Sequence, residues 1–305
     1  MKILVTGGLG FLGSTLVSML LDQGHGVISY DRRLAGKTGD DHLYNVQGDL
    51  LDLPLLLETL QKNKVERIIH TAAISHPAAA IEIPYQTVLT NALGTANVFE
   101  AARLLGIKRV VNLSSEYAYG NNAHLGTANE DVPLYPTGVN GATKVFTEKL
   151  AGGYMNLYGM EIPSLRPGWI YGPGQFMQCY MKTLLRNAID GVPTLEEEGR
   201  DYEFQYVHVW DVAQACILAC TADTMETYVY SITNGHKTSY AELIDYVKEL
   251  YPDAHIEVGE GSLSLLDRYA TFDITRARQE LGYAPVFEIK SGIKLYAEWL
   301  EKNPY

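Results

Sequence analysis

The run Thr6-Gly7-Gly8-Leu9-Gly10-Phe11-Leu12-Gly13 sits between an apolar stretch, Ile3-Leu4-Val5, and a helical-looking one, 14–22. A strand that feeds a glycine-rich turn and then a helix offers bare backbone N–H groups and the positive end of a helix dipole to a phosphate. Gly7 permits the tight turn, Gly10 the close approach of a pyrophosphate, and Gly13 the packing of helix on strand. Phe11 and Leu12 complete the cofactor-contacting part of the turn. A second apolar strand, Val27-Ile28-Ser29-Tyr30, ends on Asp31, whose carboxylate is placed to accept hydrogen bonds from both hydroxyls of an adenosine ribose. Asp31 selects NAD over NADP. Arg32 and Arg33 temper that preference, because guanidinium groups there would hold a 2′-phosphate.

Strand patterns recur at 2–6, 27–30, 44–47, 67–70, 109–113 and 162–166, separated by helix-length segments. This alternation predicts an α/β fold, a Rossmann-type doubly wound parallel sheet with helices on both faces. One long helix opens after Pro84 and closes at Gly106. After about Gly168 the elements shorten: a helix at 211–221, a strand at 228–232 and a helix at 240–250. The expected organisation is a dinucleotide-binding domain over 1–167 and a smaller substrate-binding lobe over 168–305, packed over the carboxyl ends of the strands with elements interleaved. With 305 residues, 47% of them hydrophobic, the chain can bury such a core. A formal charge of −12 disfavours nucleic acid and anionic membranes as partners. The amino terminus breaks at Gly7, too early for a signal peptide, and no apolar run approaches the roughly 20 residues of a membrane span, so the expected location is the cytoplasm. Cys179, Cys216 and Cys220 read as packing residues, with no metal site expected.

Further motifs follow in order: Asp49-Leu50, His70-Thr71-Ala72-Ala73, Asn91, Ser114-Ser115-Glu116-Tyr117-Ala118-Tyr119-Gly120, Lys144, Leu165-Arg166-Pro167, Tyr171-Gly172-Pro173, and Val207-His208-Val209-Trp210-Asp211-Val212-Ala213. Together with the glycine turn they run almost end to end, and in this order the chain resembles the extended short-chain dehydrogenase/reductase family of nucleotide-sugar 4-epimerases and 4,6-dehydratases. The resemblance implies that Asp49 and Leu50 lie against adenine, that Ala72 and Ala73 line the pyrophosphate crevice, and that Pro167 belongs to the cofactor contacts. It also implies that Lys144 binds the nicotinamide ribose and lowers the pKa of a neighbouring acid, and that Ser115 hydrogen-bonds the reacting substrate oxygen. Asn91 reads as a brace of the sheet and His208 as a core histidine. A homodimer through helices at 85–105 and 141–158 is a further implication.

The chain departs from the family at its catalytic pair, Tyr-x-x-x-Lys, whose four-residue spacing puts both side chains on one helix face. Four residues before Lys144 stands Asn140, which exchanges no proton near neutral pH. Three readings stay open: another group carries the proton, the pocket survives as a catalytically silent NAD-binding sensor or scaffold, or the tyrosine was replaced by engineering. The first is favoured. Glu116, beside Ser115 where the family's dehydratases carry an acid, is the leading candidate, and His76 in Ile74-Ser75-His76-Pro77 is the second. At the substrate end, the arginine that grips a diphosphate seven residues before the Asp211 position is replaced by Phe204, a residue that would pack or stack on a base. Arg200 is the local substitute that would restore a nucleotide-sugar clamp. Gln175 stands where an asparagine is common, and Trp169 and Ser75 complete the expected substrate wall. The expected activity is reversible hydride transfer at a carbinol carbon of a sugar-like or hydroxy-acid substrate.

Overall fold

The computed structural model describes residues 1–36, 39–264 and 266–303. Seven strands form one sheet: β1 (Lys2–Thr6), β2 (Gly26–Asp31), β3 (Leu43–Gln47), β4 (Arg67–His70), β5 (Arg109–Leu113), β6 (Ser164–Pro167) and β7 (Val229–Ile232). All neighbours run parallel, in the order β7-β6-β5-β4-β1-β2-β3. Successive side chains of a strand point to opposite faces, and here both faces are apolar. Ile3, Val5, Val27, Ile69 and Val111 share one core with the helices Phe11–Asp22 and Val209–Thr221. Leu4, Ile28, Ile68 and Val110 share the other with the helices Leu53–Asn63, Gly94–Leu104 and Val139–Tyr158. The strand order reverses between β1 and β4, which pair with Thr6 opposite His70, so their carboxyl ends open a crevice at the same level.

Beyond the sheet, the helices Tyr180–Asp190, Tyr240–Leu250 and Ile289–Lys302 enclose a second core built on Leu184, Phe204, Leu243 and Tyr296. Two elements expected in this lobe lie elsewhere. The strand near 228–232 is β7, paired with β6, and the helix Val209–Thr221 packs on the helix Phe11–Asp22, with Cys216 and Cys220 buried between them. Their apolar patterns fit either core, and pattern alone does not name a strand's neighbour. The first helix begins at Phe11 rather than at 14, so Gly13 lies inside its opening turn. The long helix is interrupted: Pro84–Val88 is α-helical, Leu89–Leu93 is one π-helical turn, and Gly94–Leu104 resumes the α-helix. Among the described residues no helix is long and apolar enough to cross a membrane, and no cluster of three or more His, Cys, Asp or Glu could hold a metal.

Candidate active site

A cavity of about 510 Å³ occupies the crevice at the carboxyl ends of the strands. Its outer end is built by the glycine turn. Gly7 adopts φ +69°, a left-handed conformation that suits glycine, and its N–H donates to Tyr30 O at 2.7 Å. A Cβ at Gly13 would sit 1.9 Å from the Gly7 carbonyl oxygen, so only glycine lets the helix approach the turn. Gly10 caps that helix and brings no side-chain acceptor, which leaves first-turn N–H groups without a side-chain partner. This is the cradle a pyrophosphate fits.

Gly7, Gly10, Phe11, Leu12, Asp31, Arg32, Asp49, Leu50, Ala72, Ala73 and Pro167 all line this cavity. Asp31 ends β2 with one carboxylate oxygen accepting from Leu9 N at 3.1 Å and the other from Arg33 N at 2.9 Å. The Arg33 guanidinium also pairs with Asp31 at 3.4 Å, donates to Leu9 O, and lies 5.7 Å from the ring centre of Phe176. Asp49 is held by three contacts: its carbonyl accepts from Tyr30 OH at 2.8 Å and from Asp52 N at 3.0 Å, and its side chain accepts from Leu51 N at 2.9 Å.

The inner end gathers Ser115, Glu116 and Lys144. Lys144 projects from the helix Val139–Tyr158 and donates to Leu113 O at 2.6 Å. Burial pulls its pKa down to about 8, against the opposing attraction of Glu148 one turn along. Ser115 caps the short turn Glu116–Ala118 by accepting from Tyr117 N at 3.2 Å. Glu116 is 1% exposed, and neither carboxyl oxygen has a hydrogen-bond partner among the described residues. Burial therefore drives its pKa well above the usual carboxylate range. A carboxyl in that condition holds a proton more readily than one in water, as a general acid requires.

Other expected site residues have different surroundings. Asn140 is 6% exposed and lies off the cavity wall; its amide donates to Ser75 O at 3.2 Å, so it braces the loop after β4 instead of facing the cavity. Ser75 and His76 do line the cavity, with His76 Nε2 2.9 Å from Gln178 O across the cleft. Trp169 and Gln175 line it too. The Gln175 amide is already engaged: its oxygen accepts from Tyr296 OH and Cys179 Sγ, and its nitrogen donates to Ile170 O. Phe204 is overturned as a substrate residue: it is 1% exposed, stacks on Tyr206 at 4.9 Å, and packs among Trp169, Tyr202 and Tyr240. Arg200 is likewise overturned as a wall residue, because its turn is pinned through the backbone to Gly259 and Ala241 and leaves the side chain exposed off the cavity. Asn91, expected to brace the sheet, instead ties the loop after β4 to the helix Val139–Tyr158: it is joined to the backbone N–H and carbonyl of Ile74 and to Thr143 Oγ1. His208 is a core residue held between Tyr171 and Phe287. Sequence reasoning missed Tyr117, Phe176 and Cys179 on the cavity wall. Tyr117 follows Glu116 directly, but nothing in a sequence tells which way a short turn aims its side chain.

Comparison with known proteins agrees with this geometry. The profile of the NAD dependent epimerase/dehydratase family matches residues 3–233. The chain is 30% identical to UDP-glucose 4-epimerase of Mycolicibacterium smegmatis over 323 residues, 99% of each chain. It is 28% identical to dTDP-glucose 4,6-dehydratase of Streptomyces antibioticus, over 99% of this chain and 93% of that one. Among solved structures, the UDP-glucose 4-epimerase of Thermus thermophilus in complex with NAD superposes with a TM-score of 0.88 over all of both chains at 25% identity.

Proposed function

The chain belongs to the NAD-dependent epimerase/dehydratase family of extended short-chain dehydrogenases/reductases, and from that premise we propose that Glu116 is the proton-transfer group of a sugar-nucleotide enzyme whose tyrosine position is filled by Asn140. The residues present fit NAD: the glycine turn accepts its pyrophosphate and Asp31 its adenosine ribose. Bound NAD supplies a reversible hydride acceptor for a carbinol carbon. Ser115 orients the substrate hydroxyl, Glu116 removes its proton and later returns it, and the Lys144 ammonium stabilises the negative charge that develops between them. The observation that carries this reading is a fully buried, unpartnered carboxyl on the same wall as Ser115 and Lys144, while Asn140 is turned to Ser75.

The named relatives act on UDP- or dTDP-sugars, and we extend that substrate class to this chain. With Phe204 in the core and Arg200 off the wall, the diphosphate has to be held by other groups than those two. Hydride transfer and solvent-deuterium incorporation over a panel of nucleotide sugars, uronates and aldonates test the assignment. Glu116→Gln is expected to keep NAD affinity and to lower turnover by about 10²–10⁴-fold; full activity would pass the role to His76. UDP and dTDP are expected to raise the melting temperature of the NAD-loaded protein, and to do so equally in Arg200→Ala. Loss of that protection in the variant would restore Arg200 as the clamp.

A further inference from the structure

Two phenols stand near Glu116. Tyr117 lines the cavity, and Tyr269, just behind its wall, packs edge-on to Tyr117 with ring centres 6.3 Å apart. Both hydroxyls are buried without a partner among the described residues, as are both oxygens of Glu116. Nearby Tyr202 shows the ordinary solution, since its hydroxyl donates to Asp267 O at 2.7 Å. A buried hydroxyl that makes no hydrogen bond is worse than no hydroxyl at all, so four such atoms in one cluster mark a place where an outside oxygen completes the bonding. The cluster offers two phenol donors and a carboxyl. Among the described Lys and Arg residues of the cavity wall, Lys144 donates to Leu113 O and serves the Ser115 side of Glu116, while Arg32 and Arg33 lie at the Asp31 end, so none is paired with the two phenols. An anionic group lodged between the phenols would face Glu116 without an ion-pair partner, which is unfavourable. An uncharged hydroxyl would meet donors and acceptors alike.

We propose that Glu116, Tyr117 and Tyr269 form a subsite for an uncharged, hydroxyl-bearing substituent of the sugar ring, which rejects a carboxylate in the same place. This rests on the sugar-nucleotide reading above. The subsite also bears on the reaction. Eliminating water from the sugar needs a base to take a carbon-bound proton and an acid to protonate the departing hydroxyl. Burial raises the phenols of Tyr117 and Tyr269 well above their usual range, so both stay protonated and cannot be that base. They can serve only as proton donors, and Glu116 can shuttle one proton from and back to one oxygen, the balance that oxidation followed by re-reduction at the same carbon requires.

UDP-glucose and UDP-glucuronate differ only in a hydroxymethyl group against a carboxylate, so calorimetric titration of the NAD-loaded protein with both, and with UDP, isolates this contact. The subsite predicts that UDP-glucose binds at least tenfold more tightly than UDP-glucuronate. In Tyr117→Phe and Tyr269→Phe, UDP-glucose affinity should fall about fivefold to tenfold while UDP affinity holds, as loss of one hydrogen bond implies. Melting of the sugar-free variants should be unchanged or higher. Equal or tighter binding of UDP-glucuronate, wild-type affinity for UDP-glucose in both variants, or lower melting in both sugar-free variants would each overturn the subsite. Failure of UDP itself to bind would instead remove the sugar-nucleotide reading, and the subsite with it.

Discussion

In the proposed reading Glu116 takes the proton-transfer part of the tyrosine in the resembled pattern, while Asn140 keeps only its place on the helix and braces Ser75. The spacing from Lys144 puts a residue that exchanges no proton at the tyrosine position, and the place of Glu116 after Ser115 made it the leading candidate, ahead of His76. Burial and the missing hydrogen-bond partners, which make that carboxyl suitable, belong to three dimensions. Because the Asn140 amide only braces Ser75, Asn140→Ala is expected to lower turnover less than tenfold, against at least a hundredfold for Glu116→Gln, in the same steady-state assay. Lys144 invites a stability test. Its pKa is about 8 in the fold and about 10.4 unfolded, so the unfolded chain binds more protons between those values and the protein gains stability as pH rises through them. Lys144→Met should abolish that increment, on the order of 3 kcal/mol by urea unfolding of the cofactor-free protein, while weakening NAD binding. Counting back from Asp211 misplaced Phe204 for an equally local reason. In the strand Glu203–Phe204 side chains alternate, so Glu203 reaches out to Lys237 and Phe204 goes into the aromatic core.

Helices and strands were read from period and punctuation, and the central six strands needed nothing more than alternating apolar runs between helix-length segments. Two features had no such signal. A helix that starts with a glycine in its first turn looks like loop, since glycine is a poor helix former, yet the close approach to Gly7 requires it there. The π-helical turn Leu89–Leu93 inserts one extra residue of rotation and coincides with Asn91, whose side chain ties the loop after β4 to the helix Val139–Tyr158 through three hydrogen bonds. Asn91→Ala leaves the Ile74 backbone pair unsatisfied and should cost about 2–3 kcal/mol in chemical unfolding. Because Ser75 and His76 follow Ile74, the same variant should also raise KM for substrate.

The whole molecule interleaves its two parts: the chain returns from the second core to supply β7 and a covering helix to the first. That return is why a single boundary near 167 described the order of the chain better than its packing. Two buried histidines belong to this global frame. His70, wedged between Thr6 and Thr95, has its pKa lowered to about 3, and His208 to about 4, both by burial. The unfolded chain takes up their protons first, so stability should fall as pH drops from about 6.5 toward 4, by a few kcal/mol, and His70→Gln should flatten that fall in acid-unfolding curves. Tyr85, Leu93, Leu104, Phe146 and Leu157 stand exposed along the helices before β5 and after Gly138, apolar surface that calls for cover. A dimer paired through them is the expected species in sedimentation, and Leu157→Glu should shift it toward monomer.

The account turns on which group moves the proton, and single-turnover hydride transfer measured against pH reads that group directly. With a sugar-nucleotide substrate, the wild-type rate is predicted to rise through an ionisation lying well above the ordinary carboxylate range. That ionisation should vanish in Glu116→Gln together with at least 99% of the rate, about a hundredfold loss, while Glu116→Asp retains a shifted version of it. A Glu116→Gln enzyme with the wild-type rate and the same pH profile would contradict the account.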